Sequence, residues 1–158
     1  MTGGLYMPER HADWLRQSRR DLAHARHAAE DGDYEWSCFA AQQSAEKALK
    51  SVYQRLGAVA WGHSVTNLLT NLPEPYQPSE DLVERAKALD KHYIPARYPN
   101  GFDQGAPMDY YTRPEAERSI QDAGAILQFC EHILAGLAAR DGETQSRRTS
   151  DEGEPSGD

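Results

Sequence analysis

Apolar residues recur at spacings of three and four along most of this 158-residue chain, and no useful stretch alternates in steps of two. The longest run is Ala116, Ile120, Ala123, Leu127, Cys130, Leu134 and Leu137. Steps of three and four place side chains on one face of an α-helix, whereas a half-buried strand needs steps of two. Thr112 and Glu115 stand ahead of this run at capping-box spacing, and Pro114 suits a first helical turn. The pattern requires an all-α chain.

Four further segments follow the same rule. One runs from Glu9 to Glu30, with Trp14, Leu15, Leu22, Ala25 and Ala29 on its apolar side and Asp31-Gly32 as its stop. Asp33 is the predicted N-cap of a second helix ending at Gly57. Its inward side is mostly small: Cys38, Ala41, Ala45 and Ala48, then Leu49, Val52 and Leu56. Small side chains let a neighbouring helix come close, so this helix should be central. Ser64 to Leu72 is a short third helix, and Ser79 caps a fourth, Glu80 to Tyr93. The expected fold is a five-helix antiparallel bundle over residues 9–139. From residue 140 to 158 the chain is acidic and almost free of apolar residues. It cannot bury enough surface to offset its ordering entropy, so disorder is expected there.

Composition narrows the function classes. The net charge is −8, with six acids and two bases in residues 141–158. The remainder is also acidic, so a bulk nucleic-acid surface is not expected, although a local basic patch is compatible. No apolar run approaches the roughly 20 residues of a membrane span, and no apolar segment follows a basic start. Cys38 and Cys130, the only cysteines, sit in apolar helical patterns as small buried hydrophobes. A cytoplasmic protein with no membrane contact is expected. There is no glycine-rich phosphate loop, HExxH, CxxC or two-metal carboxylate cluster, so neither a metal nor a cofactor is expected.

Three places could carry chemistry. Gln43, Lys47, Lys50 and Gln54 lie three or four apart and share one face of the second helix. Two ammonium groups and two amides could hold a phosphate and bond a base; alternatively the face is solvated, with Glu46 pairing Lys50. His63 opens the third helix after Trp61-Gly62 and could point at a phosphate, carry a proton or bond nearby backbone. The segment between the fourth and fifth helices, IPARYPNGFDQGAPMDYY, is too long and aromatic for a plain connector. Arg97 offers a rigid fork of donors for phosphate or carboxylate, unless it ties the loop to Asp90 or Glu46. Pro99 holds Tyr98 extended beside it.

The ordered set of segments resembles the HEPN domain family of prokaryotes. It comprises Trp14 with Asp21-Leu22 and Ala25, FAAQQSAEKALKSVYQRLG (39–57), HSVTNLL from His63, and LDKHYIPARYPN (89–100). The resemblance implies a helical bundle that dimerises, a nucleotide-related or toxin–antitoxin role, and partnership with an MNT-type nucleotidyltransferase. Family members that cut RNA pair an Arg with a His after four to six residues. Arg19/His24, Arg20/His27 and Arg85/His92 fit that spacing. Chance gives about half that number in a chain with 13 arginines and six histidines, so three matches carry little information, and only Arg85/His92 lies in the fourth helix, as in the family. Those two groups share a helix face about 10 Å apart along the axis, and Ala86 stands where the family often has a polar residue.

Three functions are therefore in view. The first is a nucleotide-binding module using Gln43, Lys47, Lys50, His63, Arg97 and Tyr98. The second is a metal-independent endoribonuclease toxin acting on RNA through Arg85 and His92. The third is a non-catalytic interaction protein that uses the apolar fifth helix.

Overall fold

The computed structural model describes residues 10–151. Six helices appear: α1 (Arg10–Glu30), α2 (Tyr34–Arg55), α3 (Val65–Thr70), α4 (Glu80–Asp90), α5 (Pro107–Tyr110) and α6 (Arg113–Asp151). Five correspond to the segments expected from the sequence. The sixth, α5, is a single turn inside the aromatic connector.

α1 and α2 form an antiparallel hairpin through Asp31-Gly32-Asp33. Gly32 takes a φ of +84°, the left-handed setting that glycine adopts without steric cost. The Asp33 N–H donates back to the Ala28 carbonyl at 2.8 Å, closing the end of α1. Asp33 itself makes no side-chain cap bond, contrary to the expectation, because its ψ of 66° is not the extended setting of a cap.

α2 lies at the centre, packed against α1, α3, α4 and α6. Ala41, Ala45 and Ala48 are fully buried, as its small-residue face predicts. Polar staples also join α1 to α2. Ser18 Oγ donates to the Ser44 carbonyl at 2.6 Å, and Ser44 Oγ returns a bond to the Ser18 carbonyl at 2.8 Å. The main core gathers Leu22, Leu49, Val52, Leu69, Leu89 and Ile126. Smaller Cys38, Ala96, Tyr111 and Ala116 form a second cluster beneath the connector. Both cysteines are free and buried, and burial pushes the Cys38 thiol up to about 11.

Ser79 caps α4 as expected, accepting from the Leu82 N–H, and Ser64, read as the first residue of the third helix, is instead its cap, accepting from the Asn67 N–H. At the start of α6, Thr112 Oγ1 accepts from the Glu115 N–H, while its hydroxyl donates to Glu115 Oε1. The connector packs on the bundle through its rings. Phe102 stacks on Tyr110 with centroids 4.3 Å apart, and Tyr111 is buried.

α6 continues to Asp151, so residues 140–151 are helical where composition predicts disorder; residues 152–158 lie outside the described part. Every residue from 138 to 151 is exposed. They bury nothing, as expected, but extending an existing helix requires no burial. Each added residue gains a backbone hydrogen bond without a new nucleation step. Arg55 pairs with Asp141 at the start of this extension.

Candidate functional site

α2 presents two parallel stripes toward α1 and the connector, and each residue has an identifiable partner. Phe39, Gln43 and Lys47 follow one another at i, i+4 and i+8. With Asp21 and His24 of α1, Trp36 and Ala40, they line a hollow of about 250 Å³. Gln42, Glu46 and Lys50 form the second stripe, turned toward the α2–α3 connection.

In the first stripe, Lys47 Nζ lies 2.5 Å from Asp21 Oδ2, with the two side chains 24% and 15% exposed. Asp21 Oδ1 also accepts from Gln17 Nε2 at 2.9 Å, which holds the carboxylate in place. The Lys47 ammonium is therefore already neutralised, not a free phosphate clamp. It keeps two further N–H donors. The face predicted from spacing divides: Lys47 meets an α1 carboxylate that was not foreseen, and Lys50 turns to Glu46 in the second stripe. Gln54, at the far end of that face, is exposed.

In the second stripe, Glu46 is buried and holds three groups: Lys50 Nζ at 3.3 Å, His63 Nδ1 at 3.0 Å and Gln42 Nε2 at 3.4 Å. Buried carboxylates persist only where charges and donors compensate them, and this one is fully engaged. Lys50 also lies 5.9 Å from the centre of the Trp14 ring. His63 does not cap α3. Its carbonyl accepts from Gln42 Nε2 at 3.0 Å, and its ring stacks on Tyr93 at 4.6 Å.

Arg97 ties the loop to neither Asp90 nor Glu46. Its guanidinium lies over Phe39 (4.4 Å), Tyr93 (4.7 Å) and Tyr98 (5.2 Å), and Nε donates to the Tyr93 carbonyl at 2.8 Å. A flat, weakly hydrated cation suits such an aromatic setting. Tyr98 is extended, at φ −129° and ψ 137°, as the following proline requires, and is half-exposed. Phe39 lines the hollow on one side and carries Arg97 on the other. Tyr93 links Arg97 to His63, and Glu46 links His63 to Lys50. Of the residues singled out by sequence, Gln43 and Lys47 line the hollow, while Lys50, His63, Arg97 and Tyr98 lie outside its lining and connect to it only through neighbouring side chains.

Arg85 and His92 do not join it. Arg85 Nε bonds Asp81 at 2.9 Å and Nη1 bonds Asp122 at 3.0 Å, so carboxylates hold its fork. Burial lifts the Asp122 carboxyl above its ordinary range, partly offset by Arg85. His92 Nδ1 lies 3.1 Å from the Tyr111 hydroxyl, and burial lowers the imidazole below its usual value. The two motif residues therefore face different partners.

Sequence reasoning missed Asp21, Trp36, Phe39, Gln42 and Tyr93. Phe39 could have been found by extending the Gln43–Lys47 stripe one turn back. Asp21 depends on the pairing of α1 with α2, which no local pattern reveals. No group of His, Cys, Asp and Glu able to hold a metal occurs among the described residues. No helix among them is long and apolar enough to cross a membrane.

An all-α bundle with a ring-walled polar hollow on its central helix is the class that fold and site together define. The family model for the HEPN domain matches residues 11–133, and the chain belongs to the HEPN domain family. It is similar to the crystal structure of TT1696 from Thermus thermophilus, with 52% identity and a TM-score of 0.77, over 78% of this chain and 98% of that one. ST0689, an archaeal HEPN homologue, is 43% identical with a TM-score of 0.67, over 77% of this chain and 95% of the other. A relative from Methanocaldococcus jannaschii named "Putative toxin MJ1304" is 24% identical over 130 residues, covering 77% of this chain and 86% of the relative.

Proposed function

We propose that the protein is a nucleotide-binding HEPN module that works as a homodimer, as one subunit of a toxin–antitoxin pair with an MNT-type nucleotidyltransferase. The observation that carries the binding reading is the hollow beside Lys47. Trp36 and Phe39 offer ring surface to a base there, and Gln43, Lys47 and Asp21 offer donors and acceptors to its edge. Arg97, stacked on Phe39, stiffens one wall and puts positive charge next to it. A pocket with mostly apolar walls and a few convergent polar groups is the common form of a small-ligand site. The toxin–antitoxin setting is supported by the name of the Methanocaldococcus relative and by the family.

The ribonuclease reading receives less support. Arg85 is committed to Asp81 and Asp122, and a guanidinium held by two carboxylates is poorly placed to steady a phosphodiester.

Isothermal titration with ATP and GTP tests the proposal. Binding is expected, weakened about tenfold or more by Lys47→Ala and by Arg97→Ala, the scale of losing one charged or stacked contact. Affinity unchanged in both variants would remove the hollow as the binding site. RNA cleavage that survives EDTA and is lost in His92→Ala would instead place the chemistry at His92, just beyond the end of α4.

A further inference from the structure

The hollow presents a specific order of hydrogen-bonding atoms, and that order selects among bases. At about 250 Å³ it falls below the roughly 300–1,000 Å³ that enclose a whole drug-sized ligand. It has room for a ring system, with sugar and phosphate left outside. On its floor, Lys47 Nζ and Asp21 Oδ2 stand 2.5 Å apart, a donor and an acceptor side by side.

The amide of Gln43 is oriented by a relay. Gln42 Nε2 donates to the His63 carbonyl, which can only accept, so Gln42 turns Oε1 toward Gln43. Gln43 Nε2 donates to that oxygen at 2.8 Å. Gln43 has thus spent one N–H within α2, and keeps its second N–H and Oε1 for the hollow. Together the wall carries an ammonium, Lys47, beside a carboxylate, Asp21, whose two oxygens each keep a lone pair for a further donor. Trp36, half-exposed and set edge-on to Phe39 at 6.3 Å, supplies stacking surface.

We infer that this hollow reads guanine, with Asp21 accepting from N1–H and the 2-amino group, Lys47 donating to O6, and Trp36 stacked on the ring. Guanine alone among the common bases has two adjacent donors beside an acceptor on its Watson–Crick edge. Adenine and cytosine offer one exocyclic donor beside a ring acceptor, and uracil one ring donor between two acceptors. A carboxylate with two acceptor oxygens beside an ammonium fits the first. His24, exposed on α1, belongs to the lining and is placed to meet the phosphate of a nucleotide whose base is inside. The inference rests on the nucleotide-binding reading above and names its base. A free nucleotide and a guanosine within RNA share this chemistry.

Titration calorimetry of the full chain tests it, using GMP, GTP, ATP, CTP, UTP and xanthosine triphosphate, with the short RNAs UGU and UAU as a second arm. GMP and GTP are expected to bind about tenfold or more tighter than the other common nucleotides, the discrimination of one good bidentate base contact. If the source is RNA, UGU exceeds UAU by a similar factor. Asp21→Asn is expected to abolish the guanine preference and transfer it to xanthosine triphosphate, whose C2 carbonyl accepts from the new amide. Should that variant fail to fold, Trp36→Ala, at a half-exposed position, is expected to weaken every nucleotide about tenfold. Equal affinity for GTP and ATP, both weakened by Trp36→Ala, overturns the guanine reading and leaves nucleotide binding standing. No measurable binding of any nucleotide or RNA overturns both.

Discussion

His92 shows how a residue chosen for one role can be set by its surroundings for another. Read from spacing, it is half of an Arg–His pair. In the fold its Nδ1 meets the Tyr111 hydroxyl, and burial disfavours the charged imidazole, with Glu115 opposing that effect and Lys91 adding to it. The folded value lies below the ordinary 6.5, so between the two the unfolded chain binds the proton more readily. The stability this group contributes is complete above about pH 6.5 and is lost as pH falls through the folded value. Urea melts from about pH 5 to 7 should therefore show stability rising with pH, and His92→Gln should flatten that rise. An unaltered slope in the variant would mean the imidazole is not buried neutral. Sequence could supply the imidazole but not the phenol facing it, since Tyr111 is brought there by the fold of the aromatic connector.

At the scale of elements, α3 is the case where local and distant signals combine. Six residues are too few to be helical alone. Ser64 caps it, its hydroxyl accepting from the Asn67 N–H. Asp90, at the end of α4, adds bonds from the Val65 N–H (2.6 Å), the Thr66 N–H (3.1 Å) and Ser64 Oγ (3.1 Å). A carboxylate on the exposed amides of a helix start is stabilising through both charge and hydrogen bonding. Asp90→Ala is expected to cost about 1–3 kcal/mol in chemical unfolding and to speed amide exchange in residues 64–70. A cost near zero would show that packing of Leu68 and Leu69 holds α3 by itself. A serine cap is a local device that a sequence can show. Asp90 lies 25 residues away from Val65, and no period connects them. The same division explains the helices generally. Apolar spacing located α1, α2, α4 and α6, whose faces it encodes directly. The turn of α5 left no such mark, because four residues cannot show a period.

For the whole molecule, the charge and the core are separately placed. The bundle closes around α2, and its apolar contacts end near Leu137. The remaining part of α6 is exposed and joined back by Arg55–Asp141, whose acid is 69% exposed. Exposed pairs contribute little, so ending the chain after residue 139 is expected to change unfolding free energy by less than about 1 kcal/mol. A larger loss would make the helical extension part of the folding unit. Composition identified where burial stops and misjudged where helix stops, since those are different physical events. For the candidate site, sequence supplied the stripe on α2 and the arginine of the loop. It could not supply Phe39 as the shared wall or Asp21 as the partner of Lys47, because both depend on which helices become neighbours.

The proposed nucleotide site is the hollow on the α2 face, with Arg97 stacked on its Phe39 wall. Proton–nitrogen correlation spectra recorded during a GTP titration test it most directly. Saturable shifts are predicted for the Trp36 indole N–H, the Gln43 side-chain amide and the Arg97 Nε–H. Shifts gathered instead around Arg85, His92 and Tyr111, or none at saturating nucleotide, would contradict the account.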